Sequence, residues 1–196
     1  TVQLMKLIKY KILTLLRSIF PTVYDYFYYR HNLKGIKNSE MKRDNIFNEI
    51  RNTQYQQCVQ IGYRDNKISN NWIVVDKYDF SPLVDLNDDV SDLSFPDDSI
   101  DIIVCNAILQ YVVKPSQVIQ EFNRVLKKGG KIWIEVPSIQ PLTYINKHVG
   151  FDDLWRFSLK GIEMIVADHF KTIQIGYSRV RNSYLNFGVY YYGEKI

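Results

Sequence analysis

Trp72-Ile73-Val74-Val75-Asp76 opens the stretch that decides the fold, and Lys131-Ile132-Trp133-Ile134-Glu135-Val136-Pro137 closes it. Between them lie Leu83-Val84-Asp85-Leu86, Asp88-Asp89-Val90 and Ile100-Asp101-Ile102-Ile103-Val104-Cys105-Asn106. Apolar residues at helical spacing run from Val118 to Leu126, and Lys127-Lys128-Gly129-Gly130 is expected to cap that helix and turn the chain into the next strand. Short β-branched runs that stop on polar residues and alternate with helix describe a parallel sheet buried on both faces. The fold class is therefore α/β: a Rossmann-like, doubly wound, mostly parallel sheet. In such sheets ligands sit beyond the carboxyl ends of the strands. Asp76, Asp89, Asn106 and Pro137 fall at those ends.

Upstream, Gln57-Cys58-Val59-Gln60-Ile61 reads as the first strand, running into Gly62-Tyr63-Arg64-Asp65-Asn66. The few residues from Asn66 to Trp72 leave no room for a joining helix, because a parallel crossover usually needs about a dozen residues. A loop must cover that edge. Glu40 to Asn52 returns to helical spacing through Met41, Ile46, Phe47 and Ile50, behind a connector at His31–Ser39. Leu4 to Phe20 interleaves Leu4, Leu7, Ile8, Ile12, Leu15 and Ile19 with Lys6, Lys9, Lys11 and Arg17, and Pro21 stops it. This basic amphipathic helix is too short and charged to span a membrane, and it lacks the cleavage site of a signal peptide. It suits either peripheral contact with an anionic membrane surface or packing on the domain or a second subunit. The chain thus divides into amphipathic N-terminal helices over 1–52 and a main domain over 53–196.

Downstream, a polar stretch leads from Pro137 to Asp153, followed by a helix expected over Leu159 to Phe170. Thr172–Ser178 and Leu185–Tyr192 alternate in the manner of strands and predict an antiparallel C-terminal hairpin. Its Phe187, Tyr190 and Tyr192 make that edge a candidate homodimer contact.

The 196 residues suffice for one domain with a sizeable core. A net charge of +4, without a strongly basic face, argues against a nucleic-acid partner. Cys58 and Cys105 fall in strands, as packing thiols suited to a reducing cytoplasm. No CxxC, HExxH or phosphate-loop pattern occurs, so no metal site is expected.

Asp89-Val90-Ser91-Asp92-Leu93-Ser94-Phe95-Pro96-Asp97-Asp98, Asn106-Ala107-Ile108-Leu109-Gln110-Tyr111-Val112 and Glu121-Phe122-Asn123-Arg124-Val125-Leu126 are the phrases that identify a family. In their order and spacing, Val84 to Pro137 resembles the class I S-adenosylmethionine-dependent methyltransferases. The nearest look is a compact subgroup of glycan-biosynthesis clusters. The resemblance implies S-adenosylmethionine as cofactor and O- or N-methylation of a small-molecule, sugar-like or glycan-precursor substrate. It implies that Asp76 holds the ribose hydroxyls, with Asp79 as a substitute in a slipped register, and that Asp89 and the Val90 N–H read adenine. Gln60, Gly62 and Tyr63 line the turn at the cofactor's amino-acid end, and Cys105 and Asn106 lie beside its methionine part.

The first turn departs from the family pattern. Gln60 stands where an acid is usual, and Arg64 and Asn66 replace later glycines. Gln110-Tyr111 stands where the subgroup has Glu-His; either acid–base help is absent at that point, or Tyr111, the second catalytic candidate beside His148, serves as a neutral contact. His148, in the loop over the substrate opening, is the candidate general base, since its pKa lies near neutrality. These departures define an alternative: a non-catalytic scaffold on the same fold.

Overall fold

The computed structural model describes residues 11–12, 38–62, 67–139, 152–179 and 187–196. The strands are β1 (Cys58–Ile61), β2 (Trp72–Val75), β3 (Ile100–Asn106), β4 (Leu126–Ile139), β5 (Phe170–Arg179) and β6 (Phe187–Lys195). They form one sheet in the order β2-β1-β3-β4-β6-β5. Strands β2, β1, β3 and β4 run parallel, and β6 pairs antiparallel with both β4 and β5. The Rossmann-like sheet and its C-terminal hairpin are both present. Leu86 adds only an isolated parallel bridge to Val75 at the β2 edge.

Helix α1 spans residues 38–52; α2 is Pro115–Val125 and α3 is Leu159–Val166. Side chains alternate between the two faces of a strand, and each face of this sheet finds a cover. Val59, Ile61, Ile103, Ile132 and Ile134 join Val118, Phe122, Ile162 and Val166 of α2 and α3 in one core. Cys58, Ile102, Val104, Trp133 and Tyr190 point the other way and meet Ile50 of α1. Burial on both sides is why the strands read as near-continuous apolar runs. At the centre of the second core, Trp133 stacks on Tyr190 with centroids 5.3 Å apart, and Phe47 of α1 tilts against it at the same distance.

A charged fork fixes α1 to the sheet. Arg43 donates from Nη2 and Nε to Glu135 of β4, the shorter contact being 2.6 Å, and Ser178 of β5 donates to the same carboxylate at 2.7 Å. Of the N-terminal segment separated at the sequence level, residues 38–52 therefore pack into the second core. The helix expected over Leu4–Phe20 lies outside the described residues except for Lys11 and Ile12, which are helical.

Three boundaries differ from expectation. Helix α2 starts earlier, at Pro115, whose fixed φ suits the first helical position. It ends at Val125, because Leu126 is already extended and paired with Ile100. Gly129 and Gly130 therefore do not cap the helix. They turn a bulge in β4 opposite Ile100–Ile102, with Gly129 at φ +77°. Helix α3 stops at Val166 rather than Phe170, which opens β5. No helix joins β1 to β2 among the described residues, as the short connection requires.

Candidate functional site

A cavity of about 470 Å³ opens at the carboxyl ends of β1 and β2, within the range of small-molecule sites. Its floor is Gly62, immediately after β1. Gly62 adopts φ +86°, where side chains are strained. A Cβ there would sit 2.7 Å from Ile108 Cδ1. The backbone is thus left bare at the cavity floor, and its N–H donates to Val75 O at 2.8 Å. Gln60 does not present an acid-like head to the cavity. It is buried, donates from Nε2 to Gly62 O at 3.2 Å and accepts from Ile68 N at 2.8 Å. The neutral amide, both donor and acceptor, braces the two ends of the loop where a carboxylate could only accept. Tyr63, Arg64 and Asn66 lie outside the described residues.

Acidic side chains shape the β2 side. Asp76 lines the cavity, and its Oδ1 accepts from the N–H groups of Tyr78 and Asp79 at 3.0 and 3.1 Å. This Asx-type turn folds the chain back after the strand. Asp79 caps Ser81 N at 2.8 Å instead of facing the cavity. Asp85 substitutes for strand pairing at the sheet edge by accepting from Val74 N at 2.8 Å, and that backbone bond is the main reason its carboxyl lies below the usual carboxylate range.

Asp89 and Val90 form the opposite wall with Ser91. Asp89 Oδ1 accepts from Ser91 N at 2.9 Å and from Ser91 Oγ at 2.7 Å, while Oδ2 accepts from Lys77 Nζ at 2.7 Å. The Lys77 bond, then Ser91, lowers the Asp89 pKa to about 2. Asp88 also borders the cavity, but Ser94 engages both its oxygens. Arg124 supports this loop from α2, donating to the carbonyls of Leu93 and Phe95 and to Asp97 and Glu121.

The end of β3 supplies the third wall. Ala107 takes φ +54° and donates to Glu135 O at 2.8 Å. A non-glycine residue at positive φ marks a backbone held by its surroundings. Gln110 Nε2 donates back to Ala107 O at 2.8 Å. Ile108, Tyr111 and Val112 then line the cavity. Cys105 does not: its thiol is sealed in the core, and burial raises its pKa steeply. Asn106 is exposed, and neither residue is among the described cavity lining. Leu154 N and Trp155 N donate to Gln110 O, and Trp155 Nε1 donates to Val112 O at 2.8 Å. The segment after residue 151 thus clips this wall in place. His148 lies outside the described residues.

The structure therefore brings Gly62, Asp76, Asp89, Val90 and Tyr111 to one cavity and leaves Gln60 and Cys105 behind it. Lys77, Tyr78, Ile108 and Lys114 line it as well and carried no expectation. Lys77 and Tyr78 had a signal, since they directly follow Asp76. Ile108 and Lys114 reach the cavity only through the turn that Ala107 sets. No group of acidic, His or Cys residues able to hold a metal occurs among the described residues. No described helix is long and apolar enough to cross a membrane.

Residues 48–134 match a family described as a methyltransferase domain. A SAM-dependent methyltransferase from Methanosarcina mazei superposes with a TM-score of 0.58 at 19% identity, over 75% of this chain and 96% of that one. The N-methyltransferase NodS of Bradyrhizobium japonicum, bound to S-adenosyl-L-homocysteine, gives 0.55 at 11% identity, over 79% and 86%. A [4+2]-cyclase, SpnF, superposes equally well, at 0.58 and 13% identity over 78% and 80%. At such identities the likeness is one of fold, and one fold hosts several chemistries. An uncharacterized protein of Methanocaldococcus jannaschii is 42% identical over 45 residues, which are 23% of this chain and 22% of that protein's length.

Proposed function

We propose that the chain, whose residues 48–134 match a family described as a methyltransferase domain, binds S-adenosylmethionine in the β1–β2 cavity and transfers its methyl group to a small or sugar-like acceptor. The observation that carries this reading is the convergence of Gly62, Asp76 and Asp89 on one cavity. The residues fit such a ligand: bare backbone at Gly62 admits a close approach, and carboxylates at the other end accept hydroxyl and amine protons. Asp76 is proposed to hold the ribose hydroxyls and Asp89 with Val90 the adenine edge. Bound there, the cofactor supplies a methyl group on an already activated sulfonium.

In-line transfer from such a centre needs mainly proximity and alignment. Ile108, Tyr111 and Val112 give the cavity a largely apolar wall. Tyr111 is proposed as a neutral contact for the acceptor, and His148 as the base that receives a proton from an acceptor hydroxyl. Membership of the glycan-cluster subgroup belongs to the same proposal.

Calorimetric titration with S-adenosylmethionine and S-adenosylhomocysteine tests the proposal. Micromolar binding is the expected result. Absence of binding to the folded protein would overturn it and leave a scaffold role for the same fold.

A further inference from the structure

The base-reading end of the cavity contains a cation, and its placement follows from the backbone around it. Asp76 N donates to Leu86 O at 3.0 Å, and the Asp76 carboxylate turns the next two residues. Lys77 is thereby aimed across the opening at Asp89, with its ammonium 5.5 Å from the centre of the Tyr78 ring. On the same wall Asp88 is engaged by Ser94, and Asp89 Oδ1 by Ser91. Asp89 Oδ2 accepts from Lys77 Nζ at 2.7 Å.

We propose that Lys77 is a specificity-determining residue of this cavity, occupying the carboxylate oxygen that a purine's amino group would otherwise take. The proposal rests on the cofactor reading above. An amino group reaching Asp89 Oδ2 must displace the ammonium or share the oxygen with it. A ligand with an oxo group at the same ring position presents an acceptor instead. Against bare Asp89 that acceptor is repelled, whereas Lys77 can stay and donate to it. Lys77 therefore narrows the site's preference for an amino-purine over an oxo-purine. The pair is half exposed on both sides, at 46% and 41%, so it is weak and exchangeable. It tunes the site and does not bar entry.

The test compares S-adenosylhomocysteine with S-inosylhomocysteine, which differ at that ring position and carry no net charge, so their binding is little affected by bulk salt. Calorimetry on the full chain should show Lys77→Met binding the adenosyl ligand more tightly and the inosyl ligand more weakly. Their affinity ratio should widen by about threefold to tenfold, two weak ion-pair effects acting in opposite directions. Lys77→Arg keeps the charge and should keep the wild-type ratio. A ratio unchanged in Lys77→Met, with both ligands bound, overturns the role of Lys77 alone. Failure of folded wild type and variant to bind either ligand overturns the cofactor reading together with this one.

Discussion

The two ends of the sheet are held together by different physics. At the β2 end the strands are four residues long, and no helix joins β1 to β2 among the described residues. Side chains replace that helix: Gln60 on Ile68 N, Asp85 on Val74 N, Asp76 on Tyr78 N and Asp89 on Ser91 N. At the other end β4, β5 and β6 are long, antiparallel over most of their length, and backed by buried aromatic residues. Trp133, Tyr190 and Tyr191 are fully buried there. One end is a polar lattice that shapes a cavity, and the other a packed core that supports it. Binding and stability should therefore separate along the sheet.

The largest effect tests the packed end. Trp133→Ala should cost about 3–5 kcal/mol in chemical denaturation, since the void lies among Phe47, Tyr190 and Tyr192. A loss below about 1 kcal/mol would show that α1 collapses into the gap and that the core is not rigid.

The next tests the cavity end. Asp89→Ala and Asp76→Ala should each weaken S-adenosylhomocysteine binding by about 1.5–3 kcal/mol, the worth of hydrogen bonds to a charged group. Their unfolding midpoints should move much less than that of Trp133→Ala. Unchanged affinity in both would remove these residues from the site. Gly62→Ala belongs to the same end, with a cost of about 1–2 kcal/mol from the left-handed backbone. It should also cost affinity, because the new methyl must displace Ile108 from the cavity wall.

Acid gives the finest discrimination. Asp85 and Asp89 are held below the usual carboxylate range by Val74 N–H and by Lys77 respectively. A lowered native pKa means stability that is present above the ordinary range and lost as pH falls through the native value, about 2 for Asp89. The amide resonance of Ser91 should therefore shift between pH 4 and pH 2, roughly the interval between the unfolded and native Asp89 pKa values, and that of Val74 as pH falls below the ordinary carboxylate range, both before those of Ile132 and Trp133. Simultaneous change at both ends would dissolve the contrast.

The packed end was the more readable of the two in sequence. Ile100–Asn106 and Lys131–Val136 are apolar because they are buried on both faces, and alternation over Thr172–Ser178 marked the hairpin. Gly129-Gly130 misled because a glycine pair after a helical pattern reads as a cap, whereas Leu126 had already entered the strand. At the cavity, strand-end position and the family resemblance pointed to Asp76, Asp89 and Gly62. Gln60 and Cys105 lie on the sequence positions of a site but face inward, and strand register rather than local spacing decides that. Lys77 and the positive φ of Ala107 depend on contacts far along the chain, such as Ala107 N with Glu135 O.

The strand order also sets a timetable. Strand β4 lies between β3 and β6, so one of its edges must wait for the last residues of this chain. Residues 140–195 must be made before that edge closes, which at ribosomal speeds takes about 3–11 seconds. During that interval Ile132, Trp133 and Ile134 present an unpaired apolar edge, the kind of surface that recruits other chains. A nascent chain of this protein should thus be most prone to aggregate, and most in need of a holding chaperone, after its cavity-forming half has emerged and before its C-terminal hairpin has.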